Sequence, residues 1–387
     1  MIERKITNEI NQLKADYPVI TIMGPRQSGK TTLAQYCFPQ KPYVNLELPD
    51  IREFALKDPR RFLAQYPDGA VLGEIQNTPE LLSYVQVIVD EAKNPGMFVL
   101  TGSHQMELHQ AVSQSLAGRT VILNLLPLSL SELENTKINY SVDDYLLHGF
   151  YPRIYHDNLN PTKAYRAYYQ TYIERDLRQL INVRDLSQFQ RFIKLCAGRI
   201  GQLLNIESLS NDVGASAKTI QHWLSILEAS FIIFRLQPYF NNFGKRLIKS
   251  PKLYFTDVGL AAYLLGIGNT DQINRDPLRG NLFENLVILE LMKHRLNHGL
   301  DPQLYFYRDS NGNEVDVIFK SASQLIPVKI KSAETFRGDL LKPIRKFESI
   351  AKEFIDKSFL IYAGEHEQQV GDVQILNYKN AIKALGE

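Results

Sequence analysis

The stretch Gly24-Pro25-Arg26-Gln27-Ser28-Gly29-Lys30-Thr31-Thr32 has the spacing G-x-x-x-x-G-K-T of a phosphate-binding loop. Its flanks fit the pattern. Val19-Ile20-Thr21-Ile22-Met23 ahead of it is a β-branched run suited to a buried strand, and Thr32 to Phe38 behind it carries apolar residues at helical spacing. Strand, glycine loop and helix together aim backbone N–H groups and a helix N-terminus at one anion. The reading makes Gly24, Gln27, Ser28, Gly29, Lys30, Thr31 and Thr32 the ATP-binding residues. Lys30 reaches the β- and γ-phosphates, and the Thr31 hydroxyl is the Mg²⁺ ligand.

At 387 residues the chain exceeds one hydrophobic core, so two or three domains are expected. A net charge of +2 makes the whole molecule a poor electrostatic attractor of nucleic acid, so any such surface has to be local. Cys37 and Cys196 form no disulfide framework, and no apolar run approaches a membrane span. Without an apolar segment behind Met1, the expectation is a cytoplasmic protein.

Ile2, Ile6, Ile10 and Leu13 predict an amphipathic helix over residues 2–15. Tyr43 to Leu46 reads as a second strand. Gly69-Ala70-Val71-Leu72-Gly73-Glu74-Ile75-Gln76 reads as a third, ending at a carboxylate. In P-loop ATPases a strand end of this kind presents an acid that holds Mg²⁺ and a base that polarises water. Glu74 takes the role of base; the metal position is Gly73. The competing reading of Glu74 is a surface carboxylate. Met97 to Leu100 delivers Ser103 to the edge of the sheet where ligands sit, either to sense the γ-phosphate or to cap the next helix. Arg119, before a strand from Thr120 to Leu125, reads either as a residue approaching a nucleotide in its own or a neighbouring subunit, or as a surface ion-pair member. Alternating strands and helices predict an α/β fold, a parallel sheet with helices on both faces.

Residues 128–200 read as helical. Tyr165, Tyr168, Tyr169 and Tyr172 are open to base stacking, but their helical spacing favours packing. Residues 201–265 read as a winged helix: Ile206 to Val213, a turn at Gly214-Ala215, a helix from Lys218 to Leu227 capped by Ser216, then strands Phe231–Phe234 and Lys252–Phe255. In a DNA reader Lys218, Gln221 and His222 would face the groove; the alternative is a structural or dimerisation module. Lys245, Arg246 and Lys249 are the nearest basic cluster. In residues 266–387 a helix from Asn281 to Asn297 carries Glu284. A hairpin of Leu304–Arg308 and Glu314–Phe319 follows, then a strand Leu325–Lys331. Asp316 and Lys331 are placed to meet on adjacent strands near Glu284, a constellation suited to a metal-dependent phosphodiesterase.

The phosphate loop, Gly73-Glu74-Ile75-Gln76, Leu100 to Ser103, Ser115 to Arg119 and Leu126 to Ser129 together resemble a family of prokaryotic AAA-type ATPases. Phe255-Thr256-Asp257-Val258-Gly259-Leu260 and Gly280-Asn281-Leu282-Phe283-Glu284 resemble its C-terminal signature, the DUF4143 domain. The resemblance implies an AAA-like module over 1–127, a winged helix, and a terminal α/β domain similar to the PD-(D/E)xK nucleases. Two departures stand out. The family strand ends in Asp-Glu-Ile-Gln, so Gly73 replaces the metal-binding Asp and Mg²⁺ is expected to be held more weakly. The nuclease pattern Glu-x-Lys reads Lys329-Ile330-Lys331 here, which predicts an inactive centre. The expected function is a nucleotide-driven switch with Glu74 and Lys30 as catalytic residues. The alternative is a nucleotide-gated DNA-binding or regulatory protein with little hydrolysis. Homo-oligomerisation is compatible with both.

Overall fold

The protein is described by a computed structural model covering residues 2–103, 112, 114–134, 136, 138, 140–177, 186–239 and 248–386. Five short strands, β1 (Val19–Met23), β2 (Tyr43–Asn45), β3 (Val71–Gly73), β4 (Phe98–Gly102) and β5 (Thr120–Asn124), form one sheet in the order β2-β3-β4-β1-β5. Every pairing is parallel. β1, β3 and β4 are buried throughout and need no polar alternation, which is why they read as largely apolar runs, whereas β2 and β5 at the sheet edges are half-buried. Ile20, Ile22, Val71 and Val99 pack on one face against Ile6, Ile10, Leu33 and Ala34. Met23, Leu72, Phe98 and Leu100 pack on the other with Leu81, Leu82, Val85 and Val89. The α/β expectation holds. The first helix is shorter than expected, Thr7–Leu13, and the charged segment after Pro49 splits at Asp58 because Pro59 starts a new helix.

Residues 130–177 form short helices ending in a π-helical stretch, Tyr169–Leu177. The four tyrosines are buried and pack on one another and on Tyr151 and Tyr263. They are core, as the spacing favoured, and the base-stacking alternative has no exposed ring face there.

Helices Ile206–Val213 and Ala217–Ala229 meet at Gly214, whose φ of +78° reverses the chain. The antiparallel pair β6 (Ile233–Leu236) and β7 (Lys252–Phe255) follows. Lys218, Gln221 and His222 are exposed on the second helix, while Ile220, Trp223, Leu224 and Leu227 are buried. Lys249 is exposed; Lys245 and Arg246 lie outside the described residues.

The C-terminal sheet comprises β8 (Leu304–Arg308), β9 (Glu314–Ser321), β10 (Gln324–Lys331), β11 (Ser358–Tyr362), β12 (Gln368–Val370) and β13 (Val373–Asn377), in the order β12-β13-β11-β10-β9-β8. The long helix Arg279–Asn297 is buried along most of its length and joins this sheet to the rest of the chain. Its Asn285 side chain brackets β7, donating to Phe255 O and accepting from Phe255 N, both at 2.8 Å. Asp257 accepts from Phe150 N (2.7 Å), the Tyr165 hydroxyl (2.6 Å) and Leu260 N (3.0 Å), tying three segments at one buried carboxylate. The Phe255–Leu260 and Gly280–Glu284 signatures therefore build the seam between the middle and terminal regions.

Candidate nucleotide site

The loop sits at the C-terminal edge of the parallel sheet, between β1 and the helix Lys30–Cys37. Glycine is required at Gly24 for space, since a Cβ there would lie 2.1 Å from Leu125 O. Gly29 is required for conformation, with φ at +93°. Lys30 is buried and its ammonium donates to Gly24 O and Pro25 O, each at 2.9 Å. Burial pushes its pKa down to about 8, partly opposed by Glu74. The Ser28 hydroxyl and the Gln76 carbonyl oxygen are buried with no partner among the described residues, polar atoms suited to a bound ligand.

Glu74 adopts a left-handed conformation, φ 56°, rare for a residue with a side chain. Its Oε2 accepts from Gln76 Nε2 (2.6 Å) and from the Ser103 hydroxyl (3.1 Å). Ser103 and Glu74 are therefore brought together. The helix that Ser103 was otherwise expected to cap lies outside the described residues. Gln76, absent from the expected site, fixes the carboxylate; its signal was its position two residues after Glu74.

At Gly73 the space that a side chain would occupy is already filled. A Cβ there would lie 2.5 Å from the Tyr43 hydroxyl and 2.7 Å from its ring. The phenol, half-buried on β2, is a hydrogen-bond neighbour of Thr31, and burial raises its pKa. Thr31 thus faces a neutral phenol, and the donor set does not fit a tightly held divalent ion.

For Arg119 the ion-pair alternative holds within its own chain. The residue precedes β5 beside Val19, and its backbone O accepts from Val19 N at 3.2 Å, so it marks the edge of the sheet opposite the loop. Its guanidinium pairs with Asp90 at 2.5 and 2.8 Å. It is a surface ion-pair member, separated from the loop of its own chain by the length of a five-residue strand, roughly 16 Å.

A cleft of about 490 Å³ adjoins the loop. It is lined by Gln27, Gly29, Thr32 and Leu33 of the loop and its helix, by Ile2 and Arg4, and by Pro152, Arg153 and His156. Arg4 is the functional residue that the sequence did not disclose. Its buried guanidinium donates to Ser28 O (2.7 Å), Leu126 O (2.6 Å) and Glu132 Oε1 (3.1 Å).

The second carboxylate cluster lies in the terminal region. Glu284, Glu314 and Asp316 converge within 4.8 Å. Lys252 of β7 inserts among them, 2.9 Å from Glu284 and 2.6 Å from Glu314. Tyr254 also donates to Glu284. The lysine on Asp316 is Lys329, at 2.6 Å, rather than the expected Lys331. The antiparallel register of β9 and β10, with Val317 opposite Val328, sets Asp316 beside Lys329. Two buried ammonium groups already neutralise the acids, so this donor set does not fit a metal ion.

Residues 16–134 match the AAA domain family model, residues 139–271 a domain of unknown function (DUF8612), and residues 279–381 a domain of unknown function (DUF4143). The chain thus carries an AAA domain of the P-loop ATPase type and a C-terminal DUF4143 domain. An uncharacterized protein of Mycobacterium tuberculosis is 28% identical over 373 residues, covering 95% of this chain and 82% of its own length. An uncharacterized protein of Methanocaldococcus jannaschii is 23% identical over 360 residues, covering 84% and 77%. Among solved structures, a Walker-type ATPase of Pyrococcus abyssi covers 68% of this chain and 96% of its own at 14% identity, with a TM-score of 0.47. AMPPCP-bound DnaA from Aquifex aeolicus covers 58% and 86% at 15% identity, with a TM-score of 0.31. No helix among the described residues is long and apolar enough to cross a membrane.

Two outcomes follow for this AAA-type chain. Phosphates restore the Lys30 ammonium, so the bound pKa lies above the free value of about 8. Affinity is then full below pH 8 and falls as pH rises through it. Calorimetry of ATP binding at pH 8 in two buffers of different ionisation enthalpy should show uptake of about half a proton. Supercoiled plasmid incubated with the protein and Mg²⁺ or Mn²⁺ should stay intact; nicking abolished by Asp316→Ala would contradict the lysine-filled site.

Proposed function

We propose that the protein is an ATP-binding switch with slow hydrolysis, in which the nucleotide state of the loop is passed to the middle and terminal regions. The observation that carries it is the buried Arg4 guanidinium, which joins the loop carbonyl of Ser28 to Leu126 O and Glu132. Glu132 in turn accepts from Ser129 N at 2.9 Å. The next residue, Leu130, donates its N–H to Glu290 Oε2 on the terminal helix at 2.7 Å. Lys293 completes the link, donating to Leu128 O (2.7 Å) and Glu290 Oε1 (3.1 Å). Arg26 of the loop also lies over the Tyr172 ring of the π-helical stretch, 5.3 Å from its centroid.

In this reading Lys30 and the loop N–H groups hold the phosphates, and the cleft beside Thr32 takes the nucleoside. Glu74, oriented by Gln76 and Ser103, positions the attacking water. A second reading, in which the terminal regions contact DNA, is favoured by one observation: Lys218, Gln221 and His222 are exposed together on one helix. With little positive charge there, such contact would be weak and salt-sensitive.

Phosphate release should be measurable in wild type and drop by about 10²-fold or more in Lys30→Ala and Glu74→Gln, with ATP affinity lost only in the former. Equal rates and unchanged affinity in Lys30→Ala would reject the reading. Fluorescence anisotropy with duplex DNA should show weak binding at low salt that declines with a shallow slope as salt rises and weakens further in Lys218→Ala. No binding at low salt would remove the DNA reading.

A further inference from the structure

We propose that the Tyr43 phenol occupies the seat of the metal-binding carboxylate in this site, so that the loop grips a nucleoside triphosphate with little dependence on a divalent cation. The inference rests on the reading that the loop binds ATP, and goes beyond it by naming the species bound.

Three observations converge. First, the room beside Gly73 is filled. The Tyr43 hydroxyl and two ring carbons lie 2.5–2.9 Å from where a Cβ would stand, so an aspartate cannot enter without displacing the ring. Glycine at 73 and tyrosine at 43 are a matched pair across β2 and β3, which lie side by side with Tyr43 opposite Val71 and Asn45 opposite Gly73. Second, the Thr31 side chain, at the head of the loop helix, is near enough to the phenol to offset part of the rise in pKa that burial imposes on it. Third, the local charge is unusual. Glu74 is held by Gln76 and Ser103, and Glu47 lies 3.1 Å from Arg26.

The electrostatics then decide. A carboxylate at position 73 would repel a triphosphate, and a divalent cation between them would convert that repulsion into a bridge. A phenol carries no charge to be bridged. It can donate one hydrogen bond to a phosphate oxygen, while Lys30 supplies the cation. Metal-free ATP therefore meets the ammonium, the loop N–H groups and a neutral donor, with one fewer negative charge nearby.

The test titrates ATP by calorimetry in excess Mg²⁺ and in EDTA at pH 7, where Lys30 is protonated. In wild type the two dissociation constants should agree within about threefold, since no carboxylate at position 73 demands a bridge. Tyr43→Phe keeps the ring and should weaken metal-free binding by about three- to tenfold through loss of one hydrogen bond. Gly73→Asp combined with Tyr43→Ala should restore a metal requirement, with at least about tenfold tighter binding in Mg²⁺ than in EDTA. A wild-type ratio of about tenfold or more would overturn the proposal, as would a Tyr43→Phe variant indistinguishable from wild type in EDTA. If the double variant does not fold, the wild-type ratio and Tyr43→Phe still decide. Absence of ATP binding to wild type in both media would instead remove the nucleotide reading itself, and this inference with it.

Discussion

A buried guanidinium ties the phosphate loop to the sheet edge and to the helix beyond it. Arg4 is 6% exposed and spends its donors on Ser28 O, Leu126 O and Glu132. A buried cation of this kind is tolerable only when its donors are met and a counter-charge is at hand. Glu132 provides the charge and is itself fixed as half of a capping box with Ser129. Loop, sheet edge and the first helix beyond the sheet are thus constrained by one another. The same short segment, residues 128–130, is gripped from the other side by Glu290 and Lys293. The ATPase domain and the terminal helix meet on a few residues of shared backbone, and this makes a switch mechanically reasonable.

Two acidic centres that the sequence suggests for metal chemistry are both altered, in related ways. In the nucleotide site a phenol stands where a carboxylate is expected. In the terminal cluster Lys252 and Lys329 stand where a metal would. The second substitution has a structural return. Lys252 comes from β7 and its carboxylates from the terminal helix and β9, so the ion pairs lock two regions together. The charge that a metal ion would supply is supplied here by two lysines of the chain.

Much of this was legible in the sequence where chemistry is local. The loop, β1, the strand end at Glu74 and the helix–turn–helix are each set by a handful of adjacent residues whose spacing carries the signal. Asp316 and Glu284 were legible as acids. What was not legible depends on distance in the chain. Arg4 lies 24 residues before Ser28 and 128 before Glu132, in a segment that reads as an amphipathic helix. Lys252 read as an ordinary strand residue. Arg119 was legible as an ion-pair member, but its position beside a strand does not say which edge of the sheet it marks; the parallel register with β1 does. Lys329 rather than Lys331 follows from a register that two strands settle only when paired. Gly73 announced a missing carboxylate, but the residue filling its place sits 30 positions earlier.

The most direct test of the coupling is amide hydrogen exchange with and without ATP, in wild type and in Arg4→Met. The account predicts that ATP slows exchange in wild type over residues 24–32 and also over 126–133 and 286–293, and that Arg4→Met confines the protection to the loop. Protection restricted to residues 24–32 in wild type would contradict transmission through Arg4 and leave the loop a nucleotide site without a listener.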